Sequence, residues 1–270
     1  MSHVAEWRLI IGAGDDLLAA DGARNMAVDR VLFESAKAGA APALRFYRWR
    51  PACLSVGRNQ PARGRYDQDG RVPGVDVVRR PTGGLAVYHD QELTYSIACA
   101  VGAIGSPRVT YFAVHNAIAR GLASLGVPAV VSGRAGSHTP SPADPLGVCF
   151  RAPAEGEIVA AAGKLVGSAQ RVEDRTILQH GSIIIDGSQD RAAAPTPPGE
   201  PQRPNASTPQ SLKSLLGRTP TDAELIAAIS AAFEASTGIR LAPASLSADE
   251  LDRIGEADRH FRSDDWTWRT

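Results

Sequence analysis

The sequence predicts an α+β domain. Two observations carry that reading. Strand-like runs and helical periodicities do not alternate as in a βαβ chain; they follow the order helix, many strands, helix, strands, helices. Two helix starts near the end also carry capping boxes, Thr221 with Glu224 and Ser247 with Glu250. The 270 residues suit one large domain, or one domain with an appendage, and 43% are hydrophobic, enough for a substantial core.

The first element is a helix from Asp21 to Ser35. Asp21 caps it, and Ala23, Met26, Ala27, Val31 and Glu34 recur at three-to-four spacing. Leu44 to Trp49 alternates apolar and polar residues, the period of a half-buried strand. Pro51 turns the chain, and Cys53-Leu54-Ser55-Val56 is a further short strand. Val75 to Val78 and Leu93 to Ala98 are two more, separated by a glycine turn. Tyr111 to Leu125 reads as a helix with the stripe Val114, Ile118, Leu122 and Leu125, ended by Gly126 and Pro128. Ser132 to Leu146, rich in Gly, Ser and Pro, is expected to be a surface loop. Glu157 to Val172 and Ile177 to Asp186 are expected strands joined by turns. Six prolines lie between Pro195 and Pro209 and mark a linker or excursion. Ile226, Ile229 and Phe233 mark the apolar face of the first C-terminal helix, and Leu251, Ile254 and Phe261 that of the second. The expected organisation is a core over 1–194, a Pro-rich linker over 195–210 and a C-terminal region over 211–270. No internal repeat is visible.

Charge excludes some functions. With 29 basic and 29 acidic residues, the formal net charge of +0 argues against a general nucleic-acid binder. No apolar run approaches the ~20 residues that span a bilayer, and no early segment reads as a signal peptide, so no membrane partner is expected and the default is cytoplasmic. Cys53, Cys99 and Cys149 are odd in number and far apart, which rules out a closed disulfide framework and a paired-cysteine zinc knuckle. The six histidines show no ligand spacing, and no metal site is expected.

Two segments carry the chemistry. In Arg79-Arg80-Pro81-Thr82-Gly83-Gly84-Leu85-Ala86-Val87-Tyr88-His89-Asp90, arginines that fork onto anions flank glycines that bare the backbone. One reading is a cradle for an anionic or polarised group. The other is a glycine hairpin with solvated arginines. The second segment is Gly163-Lys164-Leu165-Val166-Gly167-Ser168-Ala169-Gln170-Arg171, followed by Leu178-Gln179-His180-Gly181-Ser182. Lys164 in an apolar strand either points to solvent or is buried with a partner, and the small residues on both sides leave room for a ligand. Cys53 and Cys99 read as small buried hydrophobes. Cys149 follows the long loop and precedes Phe150-Arg151, whose cation favours a thiolate, so it is either structural or a nucleophile.

Taken together, these segments resemble the signature of the lipoate-protein ligase and lipoyl/octanoyl transferase superfamily. Asn25 to Asp29, Leu44 to Trp49 and the tail Phe261 to Arg269 resemble its other segments, in order over about residues 7 to 270. The resemblance implies a biotin/lipoate protein ligase-like mixed sheet with flanking helices, a tunnel for a C8 acyl chain and a short helical C-terminal region packed on the core. It implies catalytic roles for Cys149 and Lys164, the lysine contacting the acyl carbonyl oxygen. It also implies substrate binding by Arg79, Arg80, Thr82, Gly83, Gly84, His89, Gly167, Ser168, Ala169, Gln179, His180 and Gly181.

The position of Cys149, fifteen residues before Lys164, resembles the cysteine-type octanoyltransferases. That branch takes octanoate from acyl carrier protein and delivers it to a lysine of a lipoyl carrier domain, the glycine-cleavage H protein or a dehydrogenase E2 subunit. It requires no cofactor, and His89 is a candidate base for the acceptor amine. The alternatives are an ATP-dependent lipoate-protein ligase, which would need ATP and magnesium, a lipoyl-domain amidotransferase, and a non-catalytic carrier-binding homologue. Leu85 stands where the family usually has glycine or arginine. Leucine neither bares backbone nor adds a cation, which weakens the adenylate-forming reading more than thioester exchange.

Overall fold

The computed structural model describes residues 5–13, 18–63, 66, 75–133, 155–161, 163–187 and 210–269. Cys149, most of the expected Ser132–Leu146 loop and the segment from Pro195 to Pro209 lie outside the described residues.

In chain order the elements are β1 (Glu6–Ile11), β2 (Ala19–Ala20), α1 (Gly22–Lys37), β3 (Ala43–Trp49), β4 (Cys53–Val56), β5 (Asp76–Arg79), β6 (Val87–His89) and β7 (Glu92–Ala100). Then come α2 (Pro107–Ser124), β8 (Ala129–Val131), β9 (Ile158–Ala160), β10 (Gly163–Glu173) and β11 (Thr176–Ile184). The chain closes with α3 (Leu212–Leu216), α4 (Asp222–Thr237), β12 (Arg240–Pro243), α5 (Ala248–Arg262) and α6 (Asp264–Thr267). Among the described residues the main sheet runs β12-β1-β3-β7-β11-β10-β9-β8, with β2 beside β3, and a small sheet runs β5-β4-β6. The main sheet is mixed: β12, β1 and β3 are parallel, whereas the neighbours from β3 to β8 pair antiparallel.

Strand alternation divides the core. Leu44 and Phe46 of β3, with Leu93, Tyr95 and Ile97 of β7, pack under α2 and α4. Tyr47 and Ala98, the next residues in the alternation, face α1 and α5 instead. Helix α1 starts where Asp21 accepts from the Arg24 N–H at 2.9 Å, and both C-terminal capping boxes form.

Several elements differ from the sequence reading. Helix α2 begins four residues early, capped by Ser106 with Pro107 in its first turn, the position where proline is tolerated. On α5, Leu251 is exposed and the buried face is Glu250, Ile254, Ala257 and Phe261. Glu250 is held there by a 2.8 Å ion pair to Arg8. The C-terminal region is not only helical, because β12 joins the main sheet beside β1. Its tail also locks onto the small sheet. Arg79 is fully buried, and its guanidinium donates to the carbonyls of Gly57, Gln60, Thr267 and Arg269 at 2.7–3.0 Å. The indole of Trp266 donates back to the Arg79 carbonyl at 2.8 Å.

Candidate active site

A small cleft, with room for about 30 Å³, opens where the small sheet meets β10 and β11. Its walls include Arg80 and His89 from the first motif and Gly167, Ser168, Ala169, His180 and Gly181 from the second. The two segments, some ninety residues apart in sequence, therefore face one space. Met26, Tyr47, Trp49, Ser55, Val87, Thr94 and Ser182 also line it, and the sequence reading gave none of them a site role. Tyr47 and Trp49 had a signal, since the period of β3 puts them on one face with Arg45.

The motif arginines do not present an open anion cradle. Arg79 is bound to backbone carbonyls, as above, and does not line the cleft. Arg80 lines it, but its guanidinium donates to the carbonyls of Ser55, Gly83 and Leu85 at 2.7–3.0 Å. It thus shapes the turn from within. Gly83 and Gly84 are exposed and lie outside the lining. Gly84 has φ +91, and its carbonyl sits 1.9 Å from where a Cβ on Gly57 would be, so the turn closes against bare backbone at Gly57.

Behind the cleft lies a buried polar network. Asp29 of α1 accepts from Arg45 at 2.8 Å, Tyr47 at 2.9 Å and Ser96 at 2.7 Å. It also meets His180 Nδ1 at 3.1 Å, and His180 Nε2 meets Thr82 Oγ1 at 2.6 Å. Burial alone would raise the Asp29 carboxyl, but the His180 hydrogen bond and the Arg45 charge outweigh it and hold the group below the usual carboxylate range. Burial pulls His180 below its ordinary value despite Asp29. Thr82 is fully buried and orients His180 from outside the cleft lining.

A third imidazole went unrecognised in the sequence. His115 lies inside α2 with no ligand spacing, yet its Nδ1 meets the Gly156 carbonyl and its Nε2 meets Ser168 Oγ at 2.8 Å. A carbonyl only accepts, so Nδ1 carries the proton and Nε2 presents a lone pair. Burial pushes His115 down to about 4; the Gly156 carbonyl opposes this and the Lys164 ammonium adds to it. Tyr95 joins the cluster, bonded to Ser168 at 2.7 Å and accepting from Gln179 at 2.9 Å. Gln179 supports the wall without lining it. Gly181 admits no side chain here, since a Cβ would lie 2.1 Å from Ser168 Oγ.

Lys164 is buried rather than solvated. Its ammonium donates to Glu157 at 2.6 Å, and the two side chains are 1% and 6% exposed. It is not among the residues that line the cleft, and it precedes Gly167 by three positions on β10. The segment that carries Cys149 is tied at its ends to this place. Ser132 N donates to Glu157 O at 2.8 Å and Gly156 N to Ser132 O at 3.1 Å. The other two cysteines are buried and free. Burial raises the Cys53 thiol well above its ordinary value and pushes Cys99 up to about 12. Both are therefore protonated at neutral pH and unsuited to attack. Among the described residues no group of three His, Cys, Asp or Glu could hold a metal ion, and no helix is long and apolar enough to cross a membrane.

The mixed sheet, its glycine turn and the cleft between the two motifs define an α+β domain of the lipoate-ligase type. The same architecture is seen in lipoate-protein ligase A bound with ATP, at a TM-score of 0.77 and 22% identity, covering 97% of this chain and 98% of that one. A bi-partite lipoate protein ligase from Thermoplasma acidophilum superposes with a TM-score of 0.72 at 22% identity, over 98% of this chain and 96% of that one. Residues 21–234 match the lipoyl protein ligase A/B catalytic domain, and the chain belongs to that family. Its relatives include the octanoyltransferase LipM of Symbiobacterium thermophilum, 34% identical over 97% of this chain and 98% of the relative. LipM of Bacillus subtilis is 32% identical over the same shares.

Proposed function

We propose that the chain is a cytoplasmic octanoyltransferase of protein lipoylation. It takes octanoate from acyl carrier protein onto Cys149 and delivers it to a lysine of a lipoyl carrier domain, such as the glycine-cleavage H protein or a dehydrogenase E2 domain. The observation that carries this reading is the near full-length similarity to octanoyltransferases, at 32–34% identity. The burial of Cys53 and Cys99 supports Cys149 as the nucleophile.

In this reading the Cys149 thiolate attacks the octanoyl carbonyl carbon. A new C–S bond forms, the phosphopantetheine thiolate leaves, and the acyl group becomes an enzyme thioester. Lys164 steadies the carbonyl oxygen as it gains charge, a contribution of about 3 kcal/mol for one donor of this kind. The acceptor amine then attacks the same carbon, the C–N bond forms and the Cys149 thiolate departs. Thioester exchange needs neither ATP nor metal. Arg80, His89, Gly167 to Ala169 and His180-Gly181 form the wall that receives the substrate, and Gly83-Gly84, Thr82, Arg79 and Gln179 hold that wall in shape. Intact mass spectrometry after mixing with octanoyl-acyl carrier protein tests the proposal. An octanoyl adduct on the wild type, absent from Cys149→Ala, is expected. An adduct that persists in Cys149→Ala rules the mechanism out.

A further inference from the structure

Several hydroxyl–imidazole contacts surround the cleft, and His89 makes two whose members all line it, with Ser55 Oγ on Nε2 and with Ser182 Oγ on Nδ1 at 3.2 Å. Thr82 meets His180 but does not line the cleft, and Ser168 lines it while His115 does not. Ser55 and His89 both line it, and they are 2.7 Å apart between Oγ and Nε2. His89 Nδ1 lies 2.8 Å from Glu92 Oε1, and the ring stacks on Trp49 at 4.0 Å and 13°. Arg80 Nη1 stands 3.2 Å from Ser55 Oγ.

The direction of this chain of hydrogen bonds is fixed at both ends. A guanidinium can only donate, and a carboxylate can only accept. Thr94 donates its hydroxyl proton to the same Glu92 oxygen at 2.6 Å, with the Trp49 indole donating to Thr94 at 2.7 Å. His89 therefore carries its proton on Nδ1, toward Glu92, and turns a lone pair on Nε2 to the Ser55 hydroxyl. Ser55 Oγ accepts from Arg80 with one lone pair and donates to His89, which leaves its second lone pair for a donor entering the cleft. A hydroxyl, a base and an orienting carboxylate in this order make up a proton-accepting triad.

We propose that Ser55, His89 and Glu92 form the proton relay for the acceptor amine, with Ser55 and His89 meeting the substrate and Glu92 acting as a positioning residue. This rests on the acyl-transfer reading above. The lysine enters as a neutral amine. As its nitrogen bonds the acyl carbon it becomes cationic, and its proton passes to Ser55 Oγ while the Ser55 proton passes to His89 Nε2. The C–S bond breaks, and the imidazolium, paired with Glu92, returns the proton to the departing thiolate. Atoms and charge balance without any further reactant.

The test compares two acceptors after octanoyl-acyl carrier protein is mixed with the enzyme: a lipoyl carrier domain, whose strongly basic lysine gives an adduct that holds its proton, and hydroxylamine, a weak base whose adduct is acidic enough to lose its proton to water. In Ser55→Ala and in His89→Gln, kcat for the lysine should fall at least ~100-fold, the lower end for removal of general base catalysis, and kcat for hydroxylamine by less than ~10-fold. Glu92→Gln should show the same split, smaller in size. Each variant's own hydroxylamine rate reports its folded, acylated fraction, so the ratio is insensitive to lost protein. If Ser55→Ala does not fold, His89→Gln supplies the same ratio. Equal losses with both acceptors, or an unchanged lysine rate, overturn the relay. A wild type that transfers octanoate to neither acceptor instead overturns the acyl-transfer reading.

Discussion

Replacing His115 by glutamine should remove a specific acid sensitivity from the fold. The imidazole is fully buried in α2, with Nδ1–H on the Gly156 carbonyl and Nε2 on Ser168. Burial, reinforced by the Lys164 ammonium, lowers it from 6.5 to about 4. An unfolded chain therefore takes up this proton as pH falls through about 6.5, whereas the folded chain refuses it until about 4. The unfolded state binds more protons across that window, so stability falls with falling pH there and levels off below it. At roughly 1.4 kcal/mol per pH unit for one proton, the full window is worth about 3 kcal/mol. Glutamine can donate to Gly156 and accept from Ser168 but cannot titrate. Urea unfolding of both proteins from pH 7 to pH 4 checks this. The stability of the wild type relative to His115→Gln should drop by about 3 kcal/mol over the range. His180, also lowered by burial, titrates in both proteins and cancels. A difference that stays within about 0.5 kcal/mol would mean that the folded protein accepts the proton, and the neutral, directed imidazole behind Ser168 would be refuted.

Two further outcomes follow from the buried charges. Glu157→Gln leaves the Lys164 ammonium without its carboxylate and should cost about 3–5 kcal/mol in denaturant unfolding, whereas Lys164→Met with Glu157→Leu should recover most of that loss while abolishing transfer. Arg79→Ala should destabilise by at least ~3 kcal/mol, because several buried carbonyls lose a charged donor at once, and it should expose the tail after Phe261 to proteolysis; Arg79→Lys should not restore protection, lacking the planar fork.

Much of the site was legible before the structure, and the parts that were not share a cause. Small residues interrupting an apolar strand leave room beside the backbone, and Gly167 and Ser168 do line the cleft, whereas His180, which also lines it, was named only through the family resemblance. Arg79 could not. An arginine beside a glycine turn suits an anion and a buried backbone staple equally well, and the deciding partners are Thr267 and Arg269, nearly 190 residues away. Lys164 posed the same ambiguity, and Glu157, only seven residues off but across the β9–β10 hairpin, decides it. His115 shows no local pattern at all, since its partners come from Gly156 and β10. The missed strand β12 has four residues and ends in proline, too short for a period to show. Leu251 follows helical spacing, but Glu250 takes the buried place because Arg8 pairs with it. Local periodicity reports which side of an element is apolar, whereas long-range partners decide which polar groups go inside.

ATP-independent octanoyl transfer can be seen by weighing a lipoyl carrier domain after incubation with this protein and octanoyl-acyl carrier protein in the absence of ATP. The acceptor should gain one octanoyl group on its lysine. An acceptor that stays unmodified under those conditions, and is acylated only when free octanoate or lipoate is supplied with ATP and magnesium, would rule out the transferase and identify a ligase.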